Sequence, residues 1–497
     1  MLSRKQTSIF WLILISQLCL LLVFVFFRLI DYDEGLYLSY AQLVREGNLP
    51  YLDFFYPQTP YLPYLYCMVS QYGFSSLFLG RLISAFMGLL ISIIFFWLVY
   101  RLTAKAGLSL FLFFLYSFNG LTINWHSVVK TSAVSDLFAL LSFLCFAFYL
   151  LWKDNRRALM IFLSGLLVGA AFNFRLALFP ILPVEGFLIF LLSTGRSTRS
   201  RLSDLALLLC AAAFSSVFSI YLLAKDPAAF YFGNIGYHLI WGNQAVRMTL
   251  MGKMLTLSKF VFYPQNLIIL ILTVLGAATL LRKARAGQLD LQDRVIAAAL
   301  VCALALIITF FLMSPTQFQY YQQALPFLLI SSVPALGKLE GKLTVKKPQA
   351  IAIGAVYLIF ILPFAIIFLF AVRQKDKPYQ IETVKTVVEA VQEYSQPDDS
   401  ILTAWPAYAV LSGRKVLPGL ETWGGGVIPF LSPEQVRRFK LIDDPRVKKL
   451  IGGREVTLLV KEEWFPPQFD DLIEENYDLA ASTPFADIYL VKNHPTR

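Results

Sequence analysis

About eleven stretches of this chain are long and apolar enough to span a lipid bilayer, and that pattern dictates most of what the chain can fold into. They run at about 9–30, 77–100, 107–124, 132–151, 158–172, 176–193, 203–223, 262–281, 295–313, 318–336 and 350–372. A helical span needs about 20 predominantly apolar residues to cross the hydrocarbon core. Composition agrees, with 57% hydrophobic residues, only 15% charged ones and a mean hydropathy of +0.63. Soluble domains carry roughly 25% charged residues. The expected fold is therefore mainly α, a polytopic helical membrane protein. The first run is too long for a signal-peptide core and lacks a small-residue cleavage site, so it reads as a retained anchor.

The net charge of +11 would suggest nucleic acid in a soluble protein, but here the basic residues sort by loop. Arg4 and Lys5 precede the first span. Arg101 and Lys105, then Lys153, Arg156 and Arg157, then Arg196, Arg199 and Arg201 mark successive alternate loops. Arg282, Lys283, Arg285 and Arg294, then Lys338, Lys342, Lys346 and Lys347, continue the series. The positive-inside rule puts these loops and the N-terminus in the cytoplasm. The segments 31–76 and 224–261, and everything after about 373, then face outward. This arrangement predicts a multi-pass protein of the inner (plasma) membrane, with the bilayer and not nucleic acid as its partner.

The last 125 residues, 373–497, change character, and they predict a small extracytoplasmic α/β domain after a membrane domain of 1–372. The pattern reads helix (about 379–395), strand (Ser400–Trp405), a second extended stretch (Tyr408–Leu417) and a turn at Gly424-Gly425-Gly426. Helix (Ser432–Leu450), strand (Glu455–Val460), helix (about 468–476) and strand (Ile488–Val491) follow. Ser432-Pro433-Glu434-Gln435 has the N-cap, first-turn proline and capping-box glutamine of a helix start. The five cysteines show no CxxC spacing, and three histidines argue against a His-based zinc site. There is no internal repeat and no low-complexity segment.

Chemistry concentrates in the first outward segment, which opens with Asp31-Tyr32-Asp33-Glu34-Gly35. Three carboxylates at a membrane surface suit a general base, a metal ion or an activated hydroxyl. The plainer reading makes Asp33 the cap of the next helix, whose stripe of Leu36, Tyr40 and Leu43 ends at Gly47. Asp31-Tyr32-Asp33 is formally a DxD, so Asp31 and Asp33 are the candidate ligands for Mg²⁺ or Mn²⁺. The aromatic stretch 48–60 is stiffened by Pro50, Pro57 and Pro60. With Asp53 and Tyr56 it is either a sugar or lipid platform or an interfacial anchor. Asp136 lies near the outward end of a span, where a carboxylate is costly and a functional candidate by default. Its alternative is an interfacial aspartate satisfied by Ser132, Ser135 or water. Tyr320 and Tyr321 could stack on a sugar or belong to an aromatic belt. His126, beside Trp125, reads as interfacial and receives no role.

The segments DYDEG, YAQLVREGNLPYLDFFYPQTPYLPYLY and GRLISAFMGLL together resemble the first luminal loop and second span of GT-C glycosyltransferases. The nearest group contains bacterial protein O-mannosyltransferases and lipid A aminoarabinose transferases. The resemblance covers roughly residues 1–340 and is strongest over about 28–90. It implies a sugar carried on polyprenyl phosphate and transferred on the outer face, usually with inversion, to a lipid, glycan or protein acceptor. It makes Asp33 the general base with Glu34 beside it, and it implies that no metal is required. Inverting transfer also needs cations for the departing phosphate. Arg175 is the preferred one, since its guanidinium matches phosphate geometry; Lys130, Lys225 and Arg247 are the other candidates, with Lys253 and Lys259 in the same loop as Arg247. Asp53, Tyr56, Asp136, Tyr320 and Tyr321 are then assigned to acceptor or sugar. A flippase of lipid-linked glycans, a non-enzymatic envelope assembly protein, and a polysaccharide polymerase or ligase are the rival functions.

Overall fold

The computed structural model describes residues 2–152, 156–192, 195–339, 347–369, 379–423 and 426–492. Lys153, Lys342, Lys346, Gly424, Gly425 and the expected boundary at 372/373 lie outside the described residues. The protein is a helical membrane protein. Among the described residues, six helices are long and apolar enough to cross a bilayer. We label them α1 (Arg4–Phe27), α3 (Ser75–Thr103), α4 (Thr131–Leu151), α5 (Arg156–Phe174), α6 (Pro264–Arg285) and α7 (Leu291–Leu312). Between α1 and α3 runs the shorter α2 (Tyr32–Arg45).

Among the described residues, continuous helices of spanning length are therefore fewer than the eleven apolar runs. One run folds as a pair, Thr198–Ser215 and Val217–Lys225, bent by 63°. The other four are broken into shorter pieces, each at a residue with a reason to break. Asn119 accepts from the Leu121 amide at 3.0 Å and starts a new helix over Gly120–Trp125. Pro180 interrupts 176–193, Pro326 and Pro334 interrupt 318–336, and Pro363 interrupts 350–372. Proline removes an amide donor and clashes with the preceding turn. Apolarity alone does not reveal such breaks.

The C-terminal part holds a five-stranded sheet of β1 (Ser400–Thr403), β2 (Lys415–Val416), β3 (Leu458–Glu462), β4 (Tyr477–Ser482) and β5 (Ala486–Val491), in the order β2-β1-β3-β5-β4. β1 is parallel to β2 and β3; β5 is antiparallel to β3 and β4, with Leu459 opposite Tyr489. The helix α8 (Ile381–Glu393) buries Val384, Val387, Val388 and Val391. Three expectations change. The extended stretch at 408–417 is a short helix, α9 (Ala407–Leu411), followed by β2. The helix over 432–450 is two, Pro433–Arg438 and Asp444–Gly452, separated by Lys440 at a φ of 62° and a new cap at Asp443. β4 was not anticipated, because Tyr477–Ser482 carries Asp478 and little apolar alternation.

This C-terminal part seats directly on α2, and one hydrophobic core runs from Tyr40 and Leu43 to Val384 and Tyr408. Trp405 Nε1 donates to the Tyr32 carbonyl at 3.0 Å, and Gln42 Nε2 donates to the Arg414 carbonyl at 2.8 Å. Gly35 makes the seat possible. A Cβ there would lie 2.4 Å from the Ala407 Cβ and 3.0 Å from Trp405 Nε1. Gly35→Val should therefore lower the thermal stability of the whole chain by an overpacking cost of about 1–3 kcal/mol. It should also open 379–492 to limited proteolysis; an unchanged digestion pattern would refute the seat.

Glu462 is buried at the end of β3, accepting from Thr403 Oγ1 at 2.9 Å and the Trp405 amide at 2.7 Å. Burial pushes its carboxyl up to about 7, although these hydrogen bonds oppose the rise. Its titratable neighbours are Tyr32, Tyr379 and Tyr408. A carboxyl raised in the folded state binds its proton more tightly there. Its stabilising contribution is complete below the ordinary value of 4.5 and is lost as pH rises through about 7. Against Glu462→Gln, the wild type should lose on the order of 3 kcal/mol between those limits. Melting curves of both proteins across that window check it.

Candidate active site

The acidic motif divides into three carboxylates with three different surroundings. Asp31 is the N-cap of α2: it accepts from the Asp33 amide at 3.1 Å, and Glu34 closes the capping box by accepting from the Asp31 amide at 2.8 Å. The capping role expected for Asp33 thus belongs to Asp31. Glu34 is fully buried and saturated. It accepts from Arg81 Nε at 2.8 Å, Arg81 Nη2 at 2.6 Å and the Val129 amide at 3.0 Å. Asp33, on the first turn of α2, keeps 43% of its side chain exposed and touches one charged partner, Lys130, at 2.9 Å.

Lys130 stands at the start of α4 and bridges the motif. Its ammonium lies 2.8 Å from Asp31 and 2.9 Å from Asp33, and 4.8 Å above the Trp125 ring. Burial disfavours the ammonium, but Asp31 and Asp33 outweigh it and hold Lys130 above the ordinary lysine range. Burial likewise works against the Asp31 carboxylate, and Lys130 and Arg28 more than offset it, so its pKa lies below the ordinary value. The next residue, Thr131, meets Arg175: Nη1 donates to its Oγ1 at 3.4 Å. Arg175 follows the end of α5 and lies 4.4 Å above the Tyr320 ring. Asp33, Lys130, Arg175 and Tyr320 thus form one contiguous cluster. Tyr37 sits among them; burial pushes its phenol up, Asp33 adds to this, and Lys130 and Arg175 oppose it.

The structure does not bring the remaining candidates into this cluster. Tyr321 stacks on Phe260 and is fully buried. Tyr56 is fully buried against Tyr40. Asp53 accepts from the Leu49 amide at 2.7 Å and closes its own turn. Lys225 is exposed, with its ammonium 5.5 Å from the Tyr221 ring, and Arg247 is exposed in a loop at a φ of 51°. Lys253 donates to the Leu312 carbonyl. Asp136 is buried and is met by His126 Nε2 at 3.1 Å and by Gln323 Nε2, rather than by the hydroxyl of Ser132 or Ser135. His126 is accordingly buried and hydrogen-bonded to Asp136 rather than interfacial.

Asp31 and Asp33 fit an ammonium better than a metal ion. The Lys130 nitrogen occupies the space between them where a divalent ion would sit. Among the described residues no group of three or more His, Cys, Asp or Glu could hold a metal.

No protein-family model matches this chain, and no curated protein sequence matches it. Solved structures do. ArnT from Cupriavidus metallidurans bound to undecaprenyl phosphate superposes with a TM-score of 0.66 at 14% identity, over 99% of this chain and 100% of that one. The chain has the ArnT fold. The apo state of ArnT gives a TM-score of 0.62 over 97% of this chain and 98% of that one, at 14% identity. The archaeal oligosaccharyltransferase AglB from Archaeoglobus fulgidus, with an inhibitory peptide and dolichol-phosphate, gives 0.50 at 13% identity over 99% of this chain and 75% of that one. The architecture implied by the DYDEG resemblance is the architecture present.

Within the ArnT-like fold, the residue that sequence reasoning missed is Arg81. It is fully buried in α3 and also donates to the carbonyls of Val25 at 2.9 Å, Arg28 at 3.1 Å and Leu29 at 3.1 Å. The signal was available: one arginine inside the apolar run 77–100, where a charge needs a partner.

Proposed function

We propose that this protein is a membrane glycosyltransferase that moves a sugar from a polyprenyl-phosphate donor to a hydroxyl acceptor, with Asp33 as general base. The observation that carries the reading is one half-exposed carboxylate, Asp33, paired with Lys130 at 2.9 Å in a cluster that also holds Arg175, in the ArnT fold. In the solved relatives the bound lipids are undecaprenyl phosphate and dolichol-phosphate.

Asp33 takes the proton of the acceptor hydroxyl as its oxygen bonds to the anomeric carbon. The bond from that carbon to the phosphate oxygen breaks, and its electron pair leaves on polyprenyl phosphate. Attack and departure on opposite faces invert the anomeric centre. Arg175 and Lys130 neutralise the phosphate as charge builds on it. Lys130 cannot serve phosphate fully while it holds both carboxylates, so the arriving phosphate draws it from Asp33 and leaves Asp33 the stronger base. Tyr320, fixed over Arg175, offers a ring and hydroxyl to the sugar. Glu34 acts by positioning α2 rather than by touching substrate, and Asp136 positions the 126–130 segment through His126. In this reading 1–372 is the catalytic domain and 373–497 an extracytoplasmic domain, with the N-terminus cytoplasmic and the site on the outer face of the plasma membrane.

Arg175→Ala should raise the donor KM by about tenfold to a hundredfold, and Arg175→Lys should recover only part, because an ammonium lacks the bidentate fork. Equal KM values in all three proteins would remove Arg175 from the phosphate site. The function itself is tested with purified protein in nanodiscs, radiolabelled polyprenyl-phosphate sugars and a membrane extract as acceptor source, with and without EDTA. Label should move to an acceptor with release of polyprenyl phosphate, unaffected by EDTA. Donor crossing the bilayer without release would instead identify a flippase, and transfer of whole glycans from a lipid pyrophosphate would identify a polymerase or ligase.

A further inference from the structure

The segment that joins the helix Val217–Lys225 to α6 carries more exposed apolar side chains than a water-facing loop should. Tyr231, Ile235, Leu239 and Val246 are each at least 40% exposed, and Leu250, Met251, Met254, Leu255 and Phe262 are each at least 53% exposed. These side chains are ordered along the segment. Residues 231, 235 and 239 recur at intervals of four, and 250, 251, 254 and 255 share one face of the helix Leu250–Val261. Apolar patches of this extent on a protein surface mark interaction sites.

The other side of the segment is committed to protein. Phe232 stacks on Phe439 with ring centroids 3.8 Å apart, Asn234 Nδ2 donates to Tyr51 Oη at 3.1 Å, and a Cβ on Gly233 would lie 2.4 Å from the Tyr56 carbonyl oxygen. Phe260 is buried and stacks on Tyr321. Surface of the membrane spans borders the exposed side. Lys253 Nζ donates to the Leu312 carbonyl at 2.9 Å, which holds the helix Leu250–Val261 beside the end of α7, where Leu312 is itself 68% exposed. Phe262 leads into α6, whose Leu267, Ile268 and Ile271 are exposed, and the segment follows a helix with Val217, Ile220 and Tyr221 exposed. Charge points the same way. No acidic residue occurs between Asp226 and Asp290, whereas Arg247, Lys253 and Lys259 fall within the segment. Arg247 and Lys259 are exposed. An apolar face flanked by basic residues is the pattern of a helix lying in the plane of a membrane surface.

We infer that residues 231–262 form an interfacial element bound to one leaflet of the bilayer, with the exposed apolar side chains among the acyl chains and Arg247 and Lys259 at the headgroups of anionic phospholipid. The leaflet is the one on the side of the acidic motif, because Phe260 packs on Tyr321, the neighbour of the Tyr320 that lies over Arg175. The inference stands without the transferase reading. It gives a role to Arg247, which the fold leaves outside the cluster of Asp33, Lys130 and Arg175.

The test uses the full chain in nanodiscs made of equal parts phosphatidylcholine and phosphatidylglycerol. Benzoylphenylalanine, which on illumination bonds to a C–H group within reach, replaces Met251, Met254 or Leu255, one position per variant. Leu304, exposed on α7, and Glu389, exposed on α8, serve as lipid and water controls. Intact-mass spectra should show one phospholipid added at 251, 254 and 255, as at 304, and none at 389. Phosphatidylglycerol should exceed phosphatidylcholine among these adducts by about threefold. Arg247→Gln combined with Lys259→Gln should bring that ratio down to the value at 304. Melting temperatures at the wild-type value confirm that the variants are folded. No lipid adduct at 251, 254 and 255, or a dominant crosslink within the chain or to a second copy, overturns the interfacial placement. A polyprenyl lipid in place of phospholipid overturns the choice of occupant, and equal amounts of the two phospholipids overturn the headgroup contact.

Discussion

Asp33→Asn is expected to leave the protein folded and donor-loaded while lowering transfer by about 10²–10⁴-fold, the usual contribution of a general base. The asparagine matches the shape of the carboxylate and cannot take a proton. Asp33 is also the one member of its motif that can be changed cleanly. Asp31 holds the cap of α2, and Glu34 is locked to Arg81. Among the described residues Lys130 is the charged group that Asp33 touches, and Asp33 is 43% exposed. The loss should therefore fall on kcat, with donor affinity and melting temperature close to wild type. Asp31→Asn should behave differently, lowering melting temperature together with activity, because it weakens a helix cap and one of the two anchors of Lys130. Kinetics and melting curves of both variants separate these outcomes. Full transfer by Asp33→Asn would assign the base elsewhere.

The second large effect is structural. Arg81→Ala should destabilise the chain by about 3–5 kcal/mol, because it leaves Glu34 as a buried and unpaired charge. Neither side chain of the Arg81–Glu34 pair is measurably exposed, and the contact is 2.6 Å. Arg81 also ties together the carbonyls of residues 25, 28 and 29, where α1 ends and the acidic motif begins. Glu34→Gln should cost less, since an amide can still accept from Arg81 and the Val129 amide. Thermal unfolding of the purified proteins, followed by size-exclusion profile, gives the order: wild type, then Glu34→Gln, then Arg81→Ala. If Arg81→Ala melts with the wild type, the pair does not brace the motif.

Much of this was written in the sequence, at different depths. Membrane spans are visible because lipid demands long apolar runs, and the bracing of α2 is foreshadowed by Asp31 and Glu34 at capping-box spacing. The sequence does not say which aspartate caps. That depends on backbone geometry at residue 31, where φ is −79° and ψ is 138°. Nor does it separate Asp33 from Glu34, because their difference is made by Arg81, 47 residues along the chain. Tyr320 and Tyr321 look equivalent as neighbours, yet consecutive residues on a helical turn point apart. One lies over Arg175 and the other is buried on Phe260. Tyr56 and Asp53 lie apart from the Asp33–Lys130–Arg175 cluster for a similar reason: a proline-stiffened loop folds on itself, burying Tyr56 against Tyr40 and engaging Asp53 with the Leu49 amide. Three of the four broken runs carry their prolines in plain sight, and only the break at Asn119 shows through a tertiary partner, Asn266, to which it donates at 2.9 Å.

On the proposed reading, one cluster around Lys130 and Arg175 holds both the reacting carboxylate and the departing phosphate. An electron cryomicroscopy map of the protein in nanodiscs with undecaprenyl phosphate tests it directly. The expected result is phosphate density within hydrogen-bonding reach of Arg175 and Lys130, with the Lys130 ammonium drawn away from Asp33. Phosphate density at Lys225 or Arg247 instead, with Lys130 still bridging Asp31 and Asp33, would contradict the account.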